Sequence, residues 1–241
     1  MYKPTFNTNA RKLPILSRAE IDHIGECLVA DFNPEAAKEP TEIDIDRFIT
    51  RYLGMTQDFQ YLSHCGLYLG MTVFNDSDRV TVFNPDKWQA EFISAKAGTV
   101  IIDNSLLAEN QEHRYRFTAG HEAAHGILHS DYFARLAKRN SSATDIMPMV
   151  QCRADNTRAL RGAPRKKTDA EWMEWQANCL SSSILMPRNM VIKVVKKAER
   201  TSYSANAGLE AVVRTFNVSN DAAYYRLQEC GLVPPKTQRA R

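Results

Sequence analysis

His121 and His125 stand four residues apart in the run Arg116-Phe117-Thr118-Ala119-Gly120-His121-Glu122-Ala123-Ala124-His125. On an α-helix that spacing puts both imidazoles on one face, one turn apart. Two nitrogens so placed can hold one Zn²⁺ at about 2.0–2.1 Å each. Glu122 lies one step round the helix. From there it does not ligate the metal but reaches the water beside it, and its carboxylate can take that water's proton as general base. His-Glu-x-x-His on a helix is the signature of zinc-protease chemistry, and the plain alternative is a surface histidine pair. Small neighbours at Ala119, Gly120, Ala123 and Ala124 permit close packing and favour the metal.

A catalytic zinc usually takes three protein ligands and keeps one position open. Downstream carboxylates are Asp169, Glu171 and Glu174. Thr168-Asp169-Ala170-Glu171 reads as a capping box, which occupies Glu171 at a helix start. Asp169 falls in the first turn, where a negative charge suits the helix dipole. Glu174 has no such local role, so it is the preferred third ligand, against the plainer reading of a solvated glutamate. Asn178 follows it by four residues on the same face and is placed to steady one of the ligand histidines.

These residues need elements to hold them. Ser17-Arg18-Ala19-Glu20 is a second capping box, with Ile21, Ile24, Cys27 and Leu28 as the apolar stripe behind it. A helix after Pro40 carries Ile45, Phe48, Ile49, Tyr52 and Leu53 at helical spacing and ends at Gly54. Strands are expected from about Phe59 to Asp103: Gly66 to Phe74, a turn at Asn75 to Asp78, Arg79 to Phe83, and the β-branched run Gly98 to Asp103. Strands so close in sequence favour a small, mostly antiparallel sheet. The motif helix should run from after Asn110 to His129. An irregular, exposed excursion follows to Lys167, with a basic end from Arg153. The Thr168 helix should stop near Met186-Pro187, and the rest of the chain is helical in pattern, with Phe216-Asn217-Val218-Ser219 between two short helices. The fold class is therefore α+β. The domain reading is a metallopeptidase unit over 1–187, a C-terminal helical unit over 188–234 resembling a helix-turn-helix, and a disordered tail over 235–241.

The bulk properties are compatible with this. The chain has 241 residues, 44% of them hydrophobic and 24% charged, the range of an ordinary soluble domain. A formal charge of +3 is too small to point to a nucleic-acid partner. The N-terminus lacks the apolar core of a secretory signal, and no apolar run nears the ~20 residues of a membrane-spanning helix. Five scattered cysteines without a Cys-x-x-Cys pair suit reduced thiols, so a cytoplasmic location is expected.

The segment Arg116 to His129 resembles the active-site block of the ImmA/IrrE family of metallopeptidases. Glu174-Trp175-Gln176-Ala177-Asn178, continuing to Ile184-Leu185-Met186-Pro187, resembles its second block. Phe216 to Ser219 and Tyr225 to Leu232 are less specifically similar to its C-terminal helices. Three features depart from the family pattern: Ala124 and Leu180-Ser181 replace its usual residues, and the stretch between the blocks is long. The resemblance implies a zincin-like core of the gluzincin kind, its small sheet packed on the active-site helix. It implies His121, His125 and Glu174 as zinc ligands and Glu122 as base. It also implies an endopeptidase whose substrate is a helix-turn-helix repressor, cleaved to relieve repression of mobile-element or stress-response genes.

The alternative function is a non-catalytic regulator that holds zinc and binds a repressor or DNA through the same fold. Arg226 is the single basic group of the second short helix, which argues against direct DNA contact. Cys152 reads as a free loop thiol and His129 as a capping or core histidine. The run Gly98 to Asp103 is the expected docking strand for an extended substrate.

Overall fold

The structure is a computed structural model that describes residues 1–139, 149–153, 168–202 and 204–234, the segment 149–153 by its backbone alone. Its helices start where the sequence carries caps. Ser17 opens α1 (Arg18–Phe32): its hydroxyl accepts from Glu20 N, and the Glu20 carboxylate accepts from Ser17 N. Asp44 caps α2 (Ile45–Arg47), which widens into a π-helical turn over Phe48–Tyr52. Gly54 follows at φ 67°, a left-handed conformation that glycine adopts without penalty.

Among the described residues, six strands form two sheets. β1 (Thr56–Gln60), β2 (Tyr68–Val73), β5 (Thr99–Asp103) and β6 (Met149–Arg153) form one sheet in the order β1-β5-β2-β6. β5 runs parallel to β1 and antiparallel to β2, and β2 runs antiparallel to β6. The two remaining strands, β3 (Ser77–Asn84) and β4 (Gln89–Ala95), form a separate hairpin. Every residue of β5 is buried, as a strand covered on both faces requires. Val100 and Ile102 join the helical core, while Ile101 meets Met71, Val73 and Val80 under the hairpin.

The long helix α3 (Glu112–Arg139) packs on β2 and β5 on one side and on α4 (Asp169–Leu185) on the other. Thr168 and Glu171 form the capping box of α4. Three shorter helices follow: α5 (Arg188–Thr201), α6 (Ala207–Phe216) and α7 (Asn220–Glu229). A single hydrophobic cluster reaches from Ile21 and Phe48 through Ala123 and Leu180 to Val212 and Leu227. Buried Arg116 ties the start of α3 to both flanks: it pairs with Glu42 and donates to the carbonyls of Ile43, Phe216 and Asn217. No helix among the described residues is long and apolar enough to cross a membrane.

The α+β class holds, and several sequence expectations need correction. α3 continues ten residues past His129, because Phe133 and Leu136 find partners in Leu13, Phe74 and Met173. β1, β4 and β6 were not anticipated. β1 and β6 depend on partners distant in sequence, and β4 lacks a clean alternation, with Ala90, Phe92 and Ser94 on one face and Gln89, Glu91, Ile93 and Ala95 on the other. The sheet is mixed through the β1–β5 pair. Gly98 to Asp103 forms the interior strand β5, hydrogen-bonded on both sides, so it has no free edge for a substrate. Arg226 is fully buried, donates to Asp22 and to the Met186 carbonyl, and presents no charge to a DNA surface. The basic stretch after Arg153, the tail 235–241 and the Cys152 side chain lie outside the described residues.

Candidate metal centre

Small residues set the spacing of the two helices. Ala119, Ala123 and Ala124 are fully buried on α3. A Cβ on Gly120 would lie 2.7 Å from Ser181 Oγ on α4, so the helices touch closely there. Ser181 Oγ also donates to the Phe117 carbonyl at 3.1 Å. This contact brings Glu174 against the histidine face of α3.

His121 Nε2 and His125 Nε2 lie 3.0 Å apart. Glu174 Oε1 is 3.3 Å from His125 Nε2, and Oε2 is 3.4 Å from His121 Nε2. Ligand atoms of the three residues therefore converge on one point, and together they could hold a metal ion. A tetrahedral zinc with bonds of about 2.0–2.1 Å sets its ligand atoms roughly 3.3 Å apart, which the two histidine–carboxylate distances match. Glu174 Oε2 is buried without a hydrogen-bond donor among the described residues, an omission a cation would make good. The remaining downstream carboxylates are engaged elsewhere: Glu171 in its cap, and Asp169 with Arg11 at 2.7 Å. Asn178 Oδ1 lies 2.9 Å from His121 Nδ1, an acceptor that holds the ring's other nitrogen toward the cluster.

Electrostatics separate the two carboxylates. Burial works to raise the Glu174 carboxyl, but the imidazoles of His121 and His125 overcome it and hold it well below the usual carboxylate range. Burial pushes the Glu122 carboxyl up to about 7, against the opposing pull of His121 and the Thr72 hydroxyl. Burial also lowers His125, and takes His129 well below the usual imidazole value. Glu122 is thus poised to exchange a proton near neutrality, while Glu174 stays ionised and available to a cation.

Sequence reasoning missed what lies above Glu122. Strand β2 crosses the base so closely that a Cβ on Gly70 would sit 2.7 Å from Glu122 Oε1. Thr72 Oγ1 lies 2.9 Å from the Glu122 carbonyl and donates, at 2.6 Å, to Glu122 Oε2. In the sequence Thr72 is only one more β-branched residue in a strand. Gln176 was missed as well, and His129 proves to be a buried hydrogen-bonding residue that joins Gln176 to His125. His64 packs against Phe83 and Trp88, away from any metal-ligand group.

No family model matches the chain, and no curated protein matches it.

Proposed function

We propose that this protein is a zinc-dependent endopeptidase with a zincin-like core, of the ImmA/IrrE type. The observation that carries the proposal is the convergence of His121 Nε2, His125 Nε2 and the Glu174 carboxylate beside the fully buried Glu122. His121, His125 and Glu174 would hold the ion. When bound, zinc supplies Lewis acidity, polarising a carbonyl and lowering the pKa of a water. Glu122 would accept that water's proton on its carboxylate and return it to the leaving amine. The roof of Gly70 and Thr72 keeps Glu122 out of bulk solvent, so the proton it takes stays in the site. Asn178 orients His121. As substrate we propose a helix-turn-helix repressor, and the burial of Arg226 supports a protein target over direct DNA contact.

The test is co-expression with helix-turn-helix repressors from the same genome, using wild type and Glu122→Gln. Fragments that appear with wild type and vanish with Glu122→Gln, while zinc content is unchanged, support the endopeptidase. A stable complex with uncut repressor in both cases would instead establish the non-catalytic regulator.

A further inference from the structure

A line of buried hydrogen bonds runs from the N-terminal segment to His125, and its directions can be worked out from one end. The Pro14 carbonyl can only accept, so the Gln176 amide turns its Nε2 toward it, at 2.9 Å. That fixes the orientation of the amide, and Oε1 faces His129 Nε2 at 3.0 Å. An amide oxygen only accepts, so His129 carries a proton on Nε2. His129 is fully buried and hydrogen-bonded to no carboxylate among the described residues, so the ring is neutral and its Nδ1 bears a lone pair. That Nδ1 lies 3.0 Å from His125 Nδ1. The proton between them must come from His125. His125 is thereby the Nδ1–H tautomer, and its lone pair sits on Nε2, the atom facing His121 and Glu174.

We infer that Gln176 and His129 are positioning residues of the metal centre: together they select the tautomer of His125 that leaves Nε2 ready to take a cation, and Pro14 anchors them. The inference rests on the zinc reading of the cluster. It gives α4 three duties, because Glu174 supplies a ligand, Asn178 meets His121 directly, and Gln176 reaches His125 through His129. It also makes the N-terminal segment a part of the site. Leu13, beside Pro14, is buried against Phe133 and Met173, which holds that carbonyl in place.

The experiment reads the imidazole nitrogens by long-range ¹H–¹⁵N correlation in the full-length protein, metal-free and zinc-loaded. It also measures zinc affinity by competition with a chromophoric chelator. Wild-type His125 is expected as the Nδ1–H tautomer in both states. Gln176→Leu and His129→Phe should mix the His125 tautomers in the metal-free protein and weaken zinc binding about 10- to 100-fold. Variants that lower the melting temperature yet leave the tautomer and zinc affinity unchanged would reduce the line to core packing and overturn the inference. Should the variants fail to fold, the wild-type spectrum decides alone, since an Nε2–H His125 overturns it. A wild-type protein that binds no zinc refutes the metal reading instead, and its His125 tautomer still reports on the relay.

Discussion

Asp22, packed on α4, and Glu174, carried by α4 itself, are both buried carboxylates, and their surroundings differ in kind. Asp22 accepts from Arg226 Nη1 at 2.7 Å, from Ser183 Oγ at 2.6 Å and from Arg18 Nη2 at 3.3 Å, with Glu229 completing the group. Burial works to raise Asp22, but Arg226 and Arg18 prevail and lower it. Two acids there face three guanidinium groups supplied by the chain itself, with Arg188 the most distant at 3.9 Å from Asp22. Glu174 and Glu122 share the other cluster, and among the described residues no Arg or Lys is paired with either. Each leaves a buried oxygen without a donor. Where the chain supplies the counter-cations, both acids are met inside the cluster that joins α1, α4 and α7, and the atoms left without a partner among the described residues are the donors Arg18 Nε and Arg226 Nη2. Where it withholds one, the cluster is left to be completed from outside.

That contrast can be broken or sharpened by experiment. Glu174→Ala removes one of three ligands and should weaken zinc roughly 10⁴-fold, about 5.5 kcal/mol, in a chelator competition. Affinity within tenfold of wild type would remove Glu174 from the ligand set. Arg226→Ala leaves Asp22 buried and without its closest cation. It should cost about 4 kcal/mol in urea denaturation, with zinc affinity of the folded protein unchanged. Equal damage to zinc binding would mean that the two clusters are not separate.

The third effect depends on pH. Burial raises the folded-state Glu122 carboxyl from 4.5 to about 7, so the folded protein binds this proton more tightly than the unfolded chain. Its contribution to stability is full below 4.5 and is lost as pH rises through about 7, a change of about 3 kcal/mol by linkage. Glu174, held low, acts in a different window: its contribution is present above the unfolded value and is lost only as pH falls below it. Glu122→Gln cannot ionise. In chelator, its stability relative to wild type should climb between pH 4.5 and 7 and then level off, as followed by thermal melts. A constant gap between the two proteins would show that Glu122 titrates as an ordinary carboxyl.

The candidate site was more legible in the sequence than the sheet that covers it. His121 and His125 are one helical turn apart, and so are Glu174 and Asn178, so local spacing suffices to place each pair. The caps at Ser17 and Thr168 are equally local. Strand order is not. Nothing within Gly98 to Asp103 says that β1 and β2 will flank it on both sides, and β6 finds β2 only after α3 has intervened. Thr72 meets Glu122 across 50 residues of chain, and Gln176 meets Pro14 across 162. Such pairings arise only once α3, α4 and β2 have packed. The end of α3 misled for a related reason: Ser130-Asp131 looks like a stop, but the aromatic residues beyond it have distant partners.

The facing of α3 and α4 has one more consequence. The proposed ligands reach the ion from two helices, and His125 and Glu174 stand 49 residues apart in the chain. A metal that joins them closes a loop of roughly fifty residues, and a cross-link of that span removes about 4 kcal/mol of chain entropy from the unfolded ensemble. On the proposed reading, the ion that would carry the chemistry is also a removable staple. Chelation would free that loop in the unfolded chain and lower the stability of the fold by a similar amount, much as reduction of a disulfide does.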